Sequence, residues 1–191
     1  YTIVSGDASS DFAVTALSLS AGTLQDAGGN DVDLSDISGV SNIDDTKAIV
    51  VDGNSPAAFQ VGAVETVGGT VTAGYWNSSN TSINVTVPIA NDASLQGGTL
   101  QIQVKVGSNA FENIGDASSI LAINSNKTIS LSENLVRLGI TGYAEAGVLT
   151  FTGIITDDVG NATTGTASAT TLTIDETDPT VTEITSVPTS D

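Results

Sequence analysis

Cysteine, histidine and methionine are absent from the 191 residues, and 4 basic residues face 22 acidic ones. Each lack excludes a chemistry. Without cysteine there is no disulfide and no thiol nucleophile; without histidine there is no imidazole base and no zinc-finger ligand set. The formal charge of −18 repels phosphate backbones and anionic lipid surfaces, so nucleic acid is not an expected partner. Apolar runs last a few residues, against the roughly 20 that a membrane helix requires, so direct membrane insertion is not expected either. Aromatic residues make up 4 %, which leaves few stacking platforms. With no methionine, Tyr1 is expected to belong to a processed product or to an excerpt of a longer chain.

What is abundant is hard oxygen. Calcium takes about six to eight oxygen ligands from carboxylates, amides and backbone carbonyls, so Ca2+ is the ligand that the composition suggests. The competing reading is a solvated acidic surface with no bound ion.

The order-forming segments read as strands. Leu100, Ile102, Val104 and Val106 alternate with Thr99, Gln101, Gln103 and Lys105, the pattern of a half-buried strand. Ser82–Pro88, Ile129 with Leu131, and Leu149 with Phe151 and, less regularly, Ile154 repeat it, and Ala167, Ala169, Thr171 and Thr173 lead into Ile174. Turn clusters separate these runs at Gly68-Gly69, Asn77–Asn80, Gln96–Gly98 and Asp157–Asn161. One helical turn is expected at Ser132–Leu138, with Ser132 as N-cap and Leu135 and Leu138 facing inward. Many short strands with regular turns predict an all-β chain of antiparallel β-sandwich type.

The chain also repeats itself. Ile49–Val61 matches Leu172–Thr182; each reads strand, Asp, three residues, Pro, new strand, with Asp52 and Asp175 at corresponding places. Asp26-Ala27-Gly28-Gly29-Asn30 matches Asp157-Asp158-Val159-Gly160-Asn161, an Asp-x-x-Gly-Asn at a strand end, with an offset of 131 positions. The spacing predicts the C-terminal part of one domain in residues 1–52, a complete domain in 53–178, and the first strand of a third in 179–191. A 52-residue piece with about three strands cannot bury a core alone, so a tandem array is expected.

Val148–Asn161 followed by Thr171–Val181 resembles the bacterial Ig-like tandem repeats of giant secreted surface proteins, of adhesin, biofilm-associated and surface-layer type. Tyr75–Ser78, Asn84–Pro88 and Lys105–Gly107 share the likeness. The resemblance implies tandem Ig-like β-sandwich domains on the bacterial cell surface. Asp52-x-Asn54-x-Pro56 is loosely similar to cadherin linkers, which bind calcium between sandwiches, although Ser55 stands where those linkers carry an acid. Asp175-Glu176-Thr177-Asp178-Pro179 has three carboxylates and no Asn.

Two candidate calcium sets follow. At the second junction they are Asp157, Asp158, Asn161, Asp175, Glu176 and Asp178, expected to meet at one pole of a sandwich. At the first they are Asp26, Asn30, Asp31 and Asp52. The alternative for both is plain turn chemistry, since Asp and Asn side chains bond nearby backbone. Tyr75-Trp76 reads either as an exposed sugar-binding platform or as one residue inward and one outward. Tyr143 reads as a corner tyrosine bonded to backbone. Five Asn-x-Ser/Thr sequons stand at Asn77, Asn80, Asn84, Asn126 and Asn161.

No enzyme is expected. Paired carboxylates alone do not make a glycosidase, and a single arginine and three lysines supply no base–nucleophile pair. The expected role is a structural or adhesive repeat of an extracellular fibre, stalk or surface layer, each sandwich adding roughly 4 nm. Its partners would be neighbouring repeats of the same chain or identical subunits. The alternatives are a module binding a cell-surface or matrix glycan or a receptor, and a protomer that donates its last strand to a neighbour.

Overall fold

A computed structural model describes residues 2–12, 17–34, 49–181 and 183. By packing, the chain divides into two units, Tyr1–Asn54 and Ser55–Asp191.

Unit 1 contains β1 (Ala8–Ser9) and β2 (Val51–Asp52), paired antiparallel with Ala8 opposite Asp52. Asp26 and Asn30 close a short hairpin between Gln25 and Asp31. None of its described residues is buried. Phe12, Leu17, Leu19, Leu24, Val32 and Val50 are 38–67 % exposed. Ile3, Phe12, Ile49 and Val51 line an open apolar groove. Among the described residues, this unit has no layered core.

Unit 2 is all-β with one short helix. Its elements are β3 (Val64–Val67), β4 (Tyr75–Asn77), β5 (Ser82–Ile89), β6 (Thr99–Val106), β7 (Glu112–Asn113), β8 (Ser118–Ser119) and β9 (Ser125–Ser132), then α1 (Glu133–Gly139), β10 (Val148–Thr156), β11 (Ala162–Thr164) and β12 (Leu172–Asp175). One sheet runs β3-β5-β9; the other runs β4-β12-β10-β6-β7, with β11 on β10 and β8 on β6. Alternation explains the layering. Ile83, Val85, Val87 and Ile89 point to one side of β5, and Leu100, Ile102 and Val104 to one side of β6. Together with Leu149, Phe151, Ile155, Leu172 and Ile174 they form one hydrophobic cluster shared by both sheets.

The spine is the β6–β10 ladder, eight antiparallel pairs from Leu149 opposite Val106 to Thr156 opposite Thr99. Gly98 follows the turn before β6 because the Thr156 carbonyl and the Asp157 backbone occupy the space of a Cβ there. β12 lies antiparallel to β10, and β4 joins β12 in parallel, Trp76 opposite Ile174.

Most expected strands recur where alternation placed them. The expected run from Ala167 into Ile174 is shorter. Regular strand begins at Leu172, because Gly165 and Ser168 bond across to Gly153 and Phe151 instead of continuing a ladder. The helix forms with Ser132 as its cap, its hydroxyl accepting from the Leu135 N–H. Its inward residues differ from expectation. Val136 and Ile140 are buried, whereas Leu138 is 84 % exposed. In so short a helix a single side chain per turn reaches the core, and the rotation set by the Ser132 cap makes Val136 that residue.

Phe151 is fully buried at the centre of the spine. Phe151→Ala is expected to destabilise unit 2 by about 3–5 kcal/mol, measured by urea unfolding followed through the fluorescence of the single tryptophan.

Candidate functional site

Trp76 begins the local structure that draws most side chains together. It is fully buried, while Tyr75 is 42 % exposed; this is the inward–outward arrangement, and it takes the indole away from any exposed platform. Its Nε1–H donates to the Tyr143 hydroxyl at 2.8 Å. Arg137, the sole arginine, lies over the indole with its guanidinium carbon 5.1 Å from the ring centre. The guanidinium donates to Glu176 at 2.7 Å, to Glu133 at 3.0 Å, and to the carbonyls of Asn77 and Ser78 at 3.2 Å each. The Glu176 N–H donates to the Glu145 carboxylate at 3.0 Å. Helix α1, the β4 turn and the residues leaving β12 are thus held by one cation. Arg137 was not singled out from the sequence; that it is the only arginine in an acidic chain is the signal that was available.

Tyr143 departs from expectation, since its hydroxyl meets the Trp76 and Glu176 side chains rather than backbone. The cause is that Trp76 requires a partner for a buried N–H. Burial first, and then the Glu176 carboxylate, push the Tyr143 phenol up to about 12, against the opposing pull of Trp76 and Arg137.

The second-junction set does not meet at one pole. Asp157 follows the last residue of β10, whereas Val148 at its start pairs with Thr173, so Asp175 lies beyond that opposite end. Eight steps of β10, about 26 Å at ~3.3 Å each, separate the two groups. Asp175, Glu176 and Asp178 therefore stand apart from Asp157, Asp158 and Asn161. Among the described residues no three acidic side chains gather as a metal group.

Asp157 is buried, and its oxygens are engaged. Oδ1 accepts from the N–H groups of Val159, Gly160 and Asn161 at 2.7–3.1 Å, and Oδ2 accepts from the Asn161 side chain at 2.9 Å. Asp26 does the same in unit 1. Its Oδ1 accepts from Gly28 and Asn30, and its Oδ2 from the Asn30 side chain at 2.9 Å. Both loops close with the Asp N–H donating to the Asn carbonyl, at 2.9 and 3.0 Å. Both place a glycine with positive φ before the Asn, Gly29 at 84° and Gly160 at 103°. The pairs Gln25–Asp31 and Thr156–Ala162 continue the match at the same offset. The hydrogen bonds from Asn30 hold the Asp26 carboxyl below its ordinary range. Asp31 accepts from the Gln25 side chain, and Asp52 from the Asn54 N–H. Each candidate acid of unit 1 is thus engaged in a local turn.

No protein-family model, curated protein or solved structure matches the chain.

Two predictions follow from these contacts. Because the N–H groups of Val159, Gly160 and Asn161 occupy Oδ1 of Asp157 and the Asn161 side chain its Oδ2, the Asp157 loop is expected to add nothing to calcium binding, so that any melting shift of unit 2 between chelator and millimolar calcium is the same with Asp157→Asn; mass action gives about 2.7 kcal/mol at 100 times the dissociation constant wherever calcium binds. Tyr143 is expected to ionise only near pH 12. Because the folded value is raised above the unfolded value of about 10, its contribution is present below pH 10 and is lost as pH rises towards 12. Alkaline unfolding with and without Tyr143→Phe, read by tyrosinate absorbance, checks this.

Proposed function

We propose that the chain is a structural and adhesive repeat of an extracellular bacterial fibre, stalk or surface layer, built of Ig-like β-sandwich beads in tandem. The observation that carries this reading is the Asp–Asn loop, which recurs 131 residues apart with the same closing bonds and the same left-handed glycine. A strand end rebuilt in this detail is the mark of a repeated structural unit. The shared core of the two sheets of unit 2 supports the sandwich reading.

The mechanism is mechanical. Residues leaving β12 are tied back to their own unit by Arg137 and Glu145, so the turning point of the joint falls after Glu176. The unit 2 side of the joint is stiffened by these side-chain bonds, and the nearby carboxylates, Asp175 and Asp178, are the ones left to take calcium. The acidic surface keeps a long array soluble and its neighbours apart. The neighbours in the array are further repeats of the chain or identical subunits. A glycan platform loses its best feature with the burial of Trp76.

Antibodies raised against residues 55–178 are expected to label intact cells of the source organism. Labelling only after permeabilisation overturns the reading.

A further inference from the structure

We propose that Asn126 is the acceptor for N-linked glycosylation of the folded domain; this rests on the reading that the chain is exported, where such transfer takes place. The five sequons are equal as sequence, and the fold sorts them. Asn80 is fully buried and donates to the carbonyls of Gly68 and Thr70. Asn77 donates to the Thr70 carbonyl and accepts from Ser79. Asn161 is held by Asp157, and the hydroxyl of its sequon threonine, Thr163, donates to the Pro56 carbonyl. Asn84 sits in β5 with β3 on one side and β9 on the other.

Asn126 differs in its exposure and in its place at a sheet edge. It is exposed, as is Thr128 two residues on. It lies on β9, which among the described residues pairs only with β5 and is open on its far side. Backbone direction completes the case. Thr86 exchanges its N–H and C=O with Ala63 and Gly62, on the side of β5 away from β9. Thr86 faces Thr128, and Pro88 faces Asn126. In an antiparallel ladder these are therefore the pairs whose backbone groups point outward. The N–H and C=O of both Asn126 and Thr128 turn to the open edge, where an enzyme can grip the sequon backbone without breaking the sheet. The Thr128 hydroxyl meets that of Thr86 at 3.1 Å on the outer face and stays within reach of solvent.

The donor class is a lipid pyrophosphate-linked oligosaccharide. The Asn126 side-chain nitrogen bonds to the anomeric carbon, and the bond from that carbon to the pyrophosphate oxygen breaks. The lipid pyrophosphate leaves with the electron pair, and the amide nitrogen gives one proton to a base of the transferase. The glycan then stands over the open edge of β9 and blocks pairing with another sheet, the usual hazard of an unpaired strand.

The test uses the folded full chain, a purified oligosaccharyltransferase and its lipid-linked oligosaccharide, with occupancy read by peptide mass mapping. Asn126 is expected to exceed each of Asn77, Asn80, Asn84 and Asn161 by about tenfold or more, because the others require local opening first. Proteolytic peptides of the same chain should lose that selectivity. Asn126→Gln and Thr128→Val, with unchanged melting, should abolish transfer to this sequon. No transfer to Asn126 in the folded chain, or equal occupancy of all five sequons, overturns the proposal. Transfer is read in vitro, so its failure leaves the surface-labelling result untouched, and failed labelling leaves the transfer result untouched.

Discussion

One guanidinium bears much of the organisation of unit 2. Arg137 is the meeting point of three elements distant in sequence: its own helix through Glu133, the β4 turn through the carbonyls of Asn77 and Ser78, and the segment after β12 through Glu176. Its side chain is 25 % exposed and that of Glu176 26 %. The pair is thus shielded enough to outweigh an ordinary surface ion pair, which contributes about 0–1 kcal/mol. The planar fork is required, since two nitrogens bond carboxylates, a third serves two carbonyls, and the face covers an indole. β4 is the parallel edge strand of its sheet and has three residues. Such a strand has little ladder of its own, and the arginine supplies the missing attachment.

The strands were legible because one face of each is buried. In β6 every second residue is apolar, and in β10 Leu149, Phe151 and Ile155 face the same side with Gly153 between them, so that Ile155 and not the expected Ile154 continues the inward face. The Asp-x-x-Gly-Asn repeat was legible because its chemistry is local: an acid, a glycine free to take positive φ, and an amide that closes back on the acid. The placement of the acids relative to one another was not legible. It depends on the direction in which β12 returns along β10, a long-range fact without a local signature. Reading Asp157 and Asp175 as neighbours required both to lie at one end of β10, and the register of Val148 with Thr173 puts them at opposite ends. The inward face of α1 was missed for a similar reason. Apolar spacing at Leu135 and Leu138 fits a helix face, but the cap and the following Ile140 set which face turns inward.

The two units show how much of such a loop is local and how much needs a sheet. The Asp26 loop keeps its bonds while the apolar residues leading into it remain exposed. The Asp157 loop has the same bonds, and the strand before it is flanked by β6 and β12 with its inward residues buried. The loop is therefore a self-contained turn, whereas the strands on either side of it depend on neighbours.

The excess of carboxylates is tolerable for the same reason. With 22 acids and 4 bases, ion pairs cannot neutralise the surface, and separated exposed charges repel one another out to about 8–10 Å in physiological salt. A turn carboxylate that accepts several N–H bonds is stabilised by those dipoles wherever other acids lie. Asp157 and Asp26 are held in this way, and Asp92 and Asp52 bond the N–H two residues on. Backbone amides thus do within each turn what a cation would otherwise have to do between turns. An acidic chain built on such turns therefore holds these carboxylates through its own backbone, one turn at a time.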